Sequence, residues 1–253
     1  MIEMRDVSFS YGKTPVLKHI DLQFESGKLY AVVGPNGCGK TTMIKHLAGL
    51  LKPAEGEIRL EQREYREYGR KEFARRVALL PQGRNVPDIS VYDLVCCGRY
   101  PYLDVSKRMK PEDEQAVYAA LQTTDTLCMK DKNIKKLSGG ERQRAYIAML
   151  YAQDTPCVLL DEPTTHLDMS YGFQIMEMLK QMREAGKCVI AVLHDLPFAL
   201  KYADEIVLMQ DGKVVSVANP EAIVESGTLN EVMQIRCQTA NIHGEMQYIV
   251  GSI

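Results

Sequence analysis

A nine-residue stretch, Gly34 to Thr42, constrains this chain more than any other part of its sequence. It follows an apolar run, Leu29 to Val33, that predicts a buried strand. The spacing glycine, four residues, glycine, lysine, threonine is typical of a loop whose backbone N–H groups surround phosphate oxygens, and a helix beginning near Lys40 would add its own N-terminal donors. Lys40 is expected to reach the β- and γ-phosphates, and the Thr41 hydroxyl to bind Mg²⁺. The residues expected to contact a nucleotide here are Gly34, Pro35, Asn36, Gly37, Cys38, Gly39, Lys40, Thr41 and Thr42.

The bulk composition argues against several classes of function. The 253 residues include 31 Lys and Arg against 33 Asp and Glu, a net charge of −2, so bulk electrostatics predict no nucleic-acid partner. The seven cysteines are scattered and lie mostly within apolar runs, which is typical of reduced, cytosolic thiols. The first residues lack the pattern of a signal peptide, and no apolar run approaches the length that spans a bilayer. Any membrane-spanning part is therefore expected on another chain.

Short apolar segments alternate with helical segments along most of the chain. After the phosphate loop the order of helices and strands is typical of an α/β fold with a mainly parallel sheet, preceded here by N-terminal antiparallel strands. Residues 61–76 mix both charge signs and favour a solvated helical face. We expect one domain over residues 1–253, divided into a nucleotide-binding core from 1–82 and 138–225, an inserted α-helical subdomain over 83–137, and a C-terminal extension over 226–253.

Polar residues follow the predicted strands at the edge where parallel sheets bind ligands. Gln82, Asp161 and His194 each lie within two residues of the end of an apolar run, so we expect them on one rim of the sheet. Asp161 suits a carboxylate that holds Mg²⁺ through its water shell, and Glu162, pointing elsewhere, suits a general base. Taken alone, the acidic pair is more typical of a solvated loop and His194 of a structural histidine. A neighbouring phosphate loop favours catalysis instead.

Another run, Leu137-Ser138-Gly139-Gly140-Glu141, opens a predicted helix. Ser138 and Glu141 have the spacing of a capping box, which is the structural interpretation of both. Set between a phosphate loop and a strand that ends in an acidic pair, the run also resembles the ABC-type ATPase family. The resemblance covers nearly the whole chain, because six motifs occur in that family's order. They are Tyr11, Gly34 to Thr42, Gln82, Leu137 to Glu141, Leu159 to Glu162, and His194.

The resemblance implies a RecA-like P-loop NTPase core that binds ATP and Mg²⁺. Tyr11 would stack on the base, and Thr41, Gln82 and Asp161 would surround the metal. Lys40, Glu162 and His194 would carry out hydrolysis. Two copies would close head to tail, so that each ATP lies between the phosphate loop of one copy and a second set of residues on the other. That second set is Ser138, Gly139, Gly140 and Glu141.

The resemblance also implies partners and a place in the cell. An integral membrane permease would dock on residues 83–137, with this chain peripheral on the cytoplasmic face of the membrane. An extracytoplasmic substrate-binding protein would belong to the same system. Two segments, Gly98 to Leu103 and Asp161 to Asp168, resemble importer ATPases for iron chelates (siderophores), haem and cobalamin.

Two other functions remain open at this stage. A soluble ABC ATPase that acts on ribosomes or DNA would resemble two cassettes in one chain, or a cassette split by coiled coils, and this sequence has neither pattern. A non-catalytic, nucleotide-gated module is disfavoured because Lys40, Asp161, Glu162 and His194 are all present.

Two cysteines could carry chemistry of their own. Cys38, within the phosphate loop at a helix N-terminus, is expected to have a lowered thiol pKa, so that alkylation stops hydrolysis and ATP protects. Cys237 lies in the C-terminal extension with His243 and Met246, but their spacing fits no usual metal site.

Overall fold

The computed structural model describes residues 2–83, 85–104, 108–242 and 245–252. In chain order the strands are β1 (Ile2–Tyr11), β2 (Thr14–Phe24), β3 (Leu29–Val33), β4 (Glu55–Leu60), β5 (Arg63–Glu64), β6 (Val77–Leu80), β7 (Cys157–Asp161), β8 (Cys188–Val192), β9 (Glu205–Gln210), β10 (Lys213–Ala218), β11 (Ile235–Ile242) and β12 (Glu245–Ser252). The α-helices are α1 (Lys40–Leu47), α2 (Arg70–Ala74), α3 (Val91–Cys96), α4 (Pro111–Thr123), α5 (Gly139–Gln153), α6 (Met169–Glu184), α7 (Leu196–Tyr202), α8 (Pro220–Glu225) and α9 (Thr228–Met233).

A six-stranded sheet with the order β10-β9-β3-β8-β7-β6 forms the centre of the molecule. Its neighbouring strands run parallel except for the β9–β10 pair. Every residue of β3, β7 and β8 is buried, as expected of parallel strands covered on both faces. Along β3, Ala31 and Val33 pack into the core on one face, while Tyr30 and Val32 pack into the core on the other. The predicted α/β class with a mainly parallel sheet is confirmed.

A second sheet, with the order β2-β1-β4-β5, covers one face of the central sheet, and its strands pair antiparallel as predicted. The prediction for residues 61–76 is wrong in part. Only Arg70–Ala74 is α-helical there, and Tyr65–Glu67 is a short 3-10 turn. Glu61 and Gln62 have positive φ angles of 50° and 68°, so the chain turns back into β5 before a helix can begin.

Helices dominate the described part of residues 83–137, where α3 and α4 pack against each other and against α5. The Gly98 to Leu103 segment is bound to the C-terminal end of α5. A Cβ atom on Gly98 would lie 2.4 Å from the carbonyl oxygen of Met149, so only glycine fits there. Arg99 forms a largely buried ion pair with Asp113 at 3.0 Å and donates to the carbonyl oxygen of Ala152 at 2.7 Å.

The C-terminal residues form α8, α9 and the antiparallel β11–β12 hairpin, which packs on α7, α8 and α9. Just before this hairpin in the chain, β9 and β10 pair antiparallel and α8 begins at Pro220. Cys237 is buried in the core, and His243 lies outside the described residues. In the part of the chain that the structure describes, no helix has the length and apolar character needed to cross a bilayer.

Candidate functional site

The phosphate loop connects β3 to α1, as predicted. Its backbone needs glycine at three positions, because Gly34, Gly37 and Gly39 have φ angles of 151°, 80° and 108°. Space requires glycine as well: a Cβ atom would lie 2.1 Å from the carbonyl oxygen of Met209 at Gly34, and 2.9 Å from that of Val16 at Gly39. Gly39 is the N-cap of α1 and has no side chain, so the first N–H groups of the helix can face an anion.

Lys40 is buried and lies over the loop that precedes it. Its Nζ atom donates to the carbonyl oxygens of Gly34 at 2.7 Å and Pro35 at 2.9 Å. The ammonium group therefore already lies among the backbone groups that are expected to surround phosphate.

Thr41 and Asp161 meet at the end of β7. The Thr41 hydroxyl donates to Oδ1 of Asp161 at 3.2 Å, and the carboxylate is buried. Burial raises the pKa of Asp161 above its ordinary value, while the Thr41 hydrogen bond opposes the shift. Two oxygen groups facing each other in this way are the ligand type that Mg²⁺ prefers, so the residues fit the predicted metal.

Glu162 points away from Asp161 towards two other predicted residues. Its carboxylate accepts from Nε2 of Gln82 at 2.6 Å, and its other oxygen lies 2.5 Å from Nε2 of His194. Thr165 donates a third hydrogen bond at 3.1 Å. The structure thus brings Gln82, Glu162 and His194 together, and the Gln82 amide is bound to Glu162 rather than to Thr41 or Asp161.

The register of the strands explains why Gln82, Glu162 and His194 lie in contact. Leu80 pairs with Leu160, and Asp161 pairs with Val192, so β6, β7 and β8 end side by side. Gln82 and His194 each follow their strand by two residues, which places both next to Glu162. The prediction of a single rim is confirmed by these contacts.

A cavity of about 160 Å³ lies beside the loop. Its lining residues are Val16, Asn36, Gly37, Gly39, Lys40, Thr41, Thr42, Glu162 and His194. Tyr11 is not among them: its side chain is 49% exposed at the end of β1, with its ring edge-on to Phe9 at 4.9 Å. The sequence pattern missed Val16, an apolar residue in β2 whose only signal is its position shortly after Tyr11.

Ser138 is the N-cap of α5. Its Oγ accepts from the backbone N–H of Glu141 at 3.3 Å, and the Glu141 carboxylate accepts from the N–H of Ser138 at 2.9 Å. The hydrogen bond from Ser138 lowers the pKa of Glu141. The predicted capping box is confirmed. None of the residues 138–141 lines the cavity beside the phosphate loop, so one copy of the chain does not bring the two motifs together.

Two contacts hold α5 against the chain that follows the acidic pair, and neither was predicted from the sequence. Gln143 is buried and donates to the carbonyl oxygen of Pro163 at 2.7 Å, directly after Glu162. Gly140 lies against the ring of Tyr171, where a Cβ atom would approach within 2.4 Å. The signal for Gln143 was an amide on the helical face that is otherwise apolar and buried.

The expectation of a lowered pKa for Cys38 is wrong. The thiol is buried, 6% exposed, and this burial raises its pKa despite the nearby Lys40 ammonium at 3.9 Å from Sγ. Loss of hydration outweighs the favourable charge and the helix N-terminus.

Comparisons with known proteins agree with this geometry. The family model described as "ABC transporter" matches residues 17–165. The chain is 41% identical to the ferric enterobactin transport ATP-binding protein FepC of Escherichia coli strain K12, covering 91% of this chain and 86% of FepC. It is 39% identical to the petrobactin import ATP-binding protein FpuD of Bacillus anthracis, covering 94% of this chain and 88% of FpuD.

Solved structures give the same result. CbiO1 of Clostridium perfringens, part of the ABC transporter complex CbiONQ, superimposes with a TM-score of 0.77 at 29% identity, over 91% of this chain and 93% of that one. The cassette MJ0796, in a dimeric post-hydrolysis state bound to ADP and phosphate, gives 0.75 at 26% identity, over 87% and 99%. The chain therefore belongs to the ABC transporter family, as one of its ATP-binding, ATP-hydrolysing subunits.

Proposed function

We propose that this chain powers import of an iron–siderophore, haem or cobalamin type of substrate through a separate membrane permease. The relatives support a siderophore above the other two, because FepC and FpuD are named for ferric enterobactin and petrobactin. The Gly98 to Leu103 segment, which resembles importers of all three kinds of substrate, supports the wider class and does not choose among its members.

One observation carries the catalytic part of the proposal. The Glu162 carboxylate is held between Gln82 and His194, beside the loop that holds Lys40. A protein that binds nucleotide without hydrolysing it does not require a carboxylate beside the expected position of the γ-phosphate. Glu162 is therefore the general base that takes a proton from the attacking water, and His194 donates to the γ-phosphate.

ATP and Mg²⁺ are the proposed ligands. Mg²⁺ would be held by Thr41, by Asp161 through water, and by Gln82 once its amide leaves Glu162, and it would neutralise charge on the phosphates. Lys40 exchanges its two loop carbonyls for phosphate oxygens, and the backbone from Gly34 to Thr42 surrounds them. Tyr11, exposed at the end of β1, is free to turn its ring towards the base.

A second copy completes each site in this proposal. Ser138, Gly139, Gly140 and Glu141 lie at the N-terminus of α5, where N–H groups can meet the γ-phosphate on the other copy's loop. ATP then joins the two copies, and hydrolysis releases them.

The partners follow from the same arrangement. Gln82 lies between the end of β6 and residues 83–137, so its contacts can report a γ-phosphate to a permease docked on that helical subdomain. The chain would then be peripheral on the cytoplasmic face of the membrane, and an extracytoplasmic substrate-binding protein would deliver the substrate.

The test measures uptake in cells that lack this chain. Cells complemented with the parent chain should take up radiolabelled ferric siderophore, whereas cells with Glu162→Gln should not. Haem and labelled cobalamin run in parallel identify the substrate class. The affinity-tagged chain is also purified from detergent-solubilised membranes. The proposal would be contradicted if the chain were recovered only with ribosomes or DNA and if cells with Glu162→Gln took up all three substrates as well as cells with the parent chain.

A further inference from the structure

A cavity of about 360 Å³ lies between α6, α7 and β12, next to the residues proposed to bind nucleotide. Apolar side chains in its outer part are exposed to solvent. We name this surface the α6–α7 patch, defined by Met169, Phe173, Asp195, Phe198 and Lys201.

Two large apolar side chains of the patch are exposed to solvent instead of being packed in the core. The Met169 side chain is 74% exposed and that of Phe173 is 37% exposed, although both begin a helix whose other face is buried. Isolated apolar residues are normal on a surface, but apolar groups gathered at one cavity mark a contact.

The floor of the patch is firmly packed. Phe198 is buried, and its ring meets that of Phe173 edge-on, with centroids 5.1 Å apart. Gly172 makes room for it, because a Cβ atom there would lie 2.7 Å from the Phe198 ring. The surface is therefore already shaped to receive a partner and loses little entropy on binding.

The patch is continuous with the face on which the second copy is proposed to lie. Leu167 lines this cavity and also the cavity that contains Gly139 and Gln82. Asp195, on the rim of the patch, directly follows His194. None of the patch residues belongs to the helical subdomain proposed to bind the permease.

The charges on the rim suit a contact between identical surfaces. Lys201 lies over the Phe173 ring, with Nζ 5.0 Å from the centroid, and is exposed, as is Asp195. An apolar centre with a cation and an anion on its rim is complementary to a copy of itself related by a twofold axis.

We propose that a second copy of this chain covers the α6–α7 patch in the ATP-closed dimer, with Lys201 of each copy against Asp195 of the other. This inference rests on the proposed ATP-dependent dimer and adds a contact beside the nucleotide site, made by residues that do not bind the nucleotide. A stable interface uses about 20 to 30 residues a side, so the patch strengthens the ATP-dependent contact and does not hold two copies without ATP.

The test uses the full chain carrying Glu162→Gln, so that ATP is retained. Sedimentation velocity over a range of protein concentrations with saturating ATP and Mg²⁺ gives the dimer dissociation constant. Adding Met169→Glu should raise that constant at least tenfold. Glutamate suits the first position of a helix, so the fold is retained, which circular dichroism checks. Val215→Glu is the matched control, because Val215 is 43% exposed on the edge strand β10.

A charge exchange gives a second, independent variant. Lys201→Glu alone should weaken the dimer, and Lys201→Glu combined with Asp195→Lys should restore it. If Met169→Glu and Val215→Glu dimerise equally well, or the charge exchange restores nothing, the patch is not part of the interface. If the parent Glu162→Gln chain itself stays monomeric with ATP, the proposed dimer fails first, which is a distinguishable result.

Discussion

Glu162, the proposed general base, has an unfavourable backbone conformation. Its φ angle of 55° lies in the left-handed region, which suits glycine better than an acid. The backbone is held there by the Glu162 N–H, which donates to the carbonyl oxygen of Val192 at 3.1 Å. Non-glycine residues in this region tend to occur where function requires the side chain, and the direction of this carboxylate depends on the turn.

Glu162→Gln should abolish turnover while ATP still binds. The amide keeps the size of the side chain but cannot take a proton from water, so phosphate release should fall by about 10²-fold or more. The variant should elute as a dimer from a sizing column when ATP is present. Glu184→Gln, at the exposed end of α6, is the control and should keep the parent rate. Hydrolysis at the parent rate by Glu162→Gln would refute the base assignment.

Cys38 should react slowly with alkylating reagents in the native chain. Its raised pKa and burial both reduce the exposed thiolate, whereas Cys128 is exposed. Iodoacetamide labelling followed by mass spectrometry should therefore modify Cys128 well before Cys38, and urea should remove the difference. Labelling of both at equal rates in the native chain would show that the loop opens readily.

Sequence alone could predict the site residues whose function depends on local spacing. A phosphate loop between a strand and a helix, and acids at a strand end, are patterns of neighbouring residues. Val16 and Gln143 could not be predicted in the same way, because each reaches the site through packing between elements distant in sequence: β2 against Gly39, and α5 against Pro163. Cys38 was predicted incorrectly because burial is a tertiary property.

At the scale of elements, a largely buried ion pair is one of the contacts that hold the Gly98 to Leu103 segment. The side chains of Arg99 and Asp113 are only 12% and 7% exposed, and Asp113 also accepts from the N–H of Lys110 at the start of α4. Arg99 lies against the Tyr102 ring as well, with its guanidinium carbon 3.9 Å from the centroid. The segment, α4 and the end of α5 are thus joined through one guanidinium group.

Arg99→Met should destabilise the chain substantially. It leaves the Asp113 carboxylate buried without its cation, which costs about 3 kcal/mol in free energy of unfolding. Urea unfolding followed by circular dichroism measures the loss. Lys135→Met is the matched control, since Lys135 pairs with Asp88 at 3.1 Å on the surface and its removal should leave stability unchanged. Equal losses in the two variants would contradict the special role of the buried pair.

The strands of the central sheet were more predictable than the stretch after β4. Apolar runs such as those of β3, β7 and β8 are buried on both faces, so their hydrophobicity alone defines them. Residues 61–76 lie at the surface, where charge patterning cannot distinguish a helix from a turn and short strand. The positive φ angles of Glu61 and Gln62 turn the chain back into β5 there, so that no helix begins at that point.

At the scale of the whole molecule, the phosphate loop and residues 138–141 lie apart within one copy, so the proposed dimer would make activity a property of a pair. Two inactive variants with defects in different motifs should therefore complement each other. Lys40→Ala damages the phosphate loop. Gly139→Asp adds an acid that would repel γ-phosphate, yet its Cβ meets only Leu167 at 3.8 Å within its own copy, so it should fold.

An equal mixture of Lys40→Ala and Gly139→Asp should regain about a quarter of the parent ATPase rate, because half of the dimers are mixed and each has one intact site of two. Phosphate release after mixing is the measurement. A mixture of Lys40→Ala with Thr41→Ala is the control, since both defects lie in the same motif and no intact site can form. Absence of recovery in the first mixture, with both variants folded, would contradict sites shared between copies.

The position of Lys40 has a consequence for the speed of nucleotide exchange. Its ammonium bonds the carbonyl oxygens of Gly34 and Pro35, so the chain's own lysine holds the loop in a closed curve. In the proposed complex, nucleotide association requires side chains such as Lys40 and Gln82 to change partners, whereas the backbone of the loop keeps its curve. We therefore expect exchange of ADP for ATP to be limited by how long two copies stay together in the proposed dimer, so that the lifetime of the pair sets the rate of the cycle.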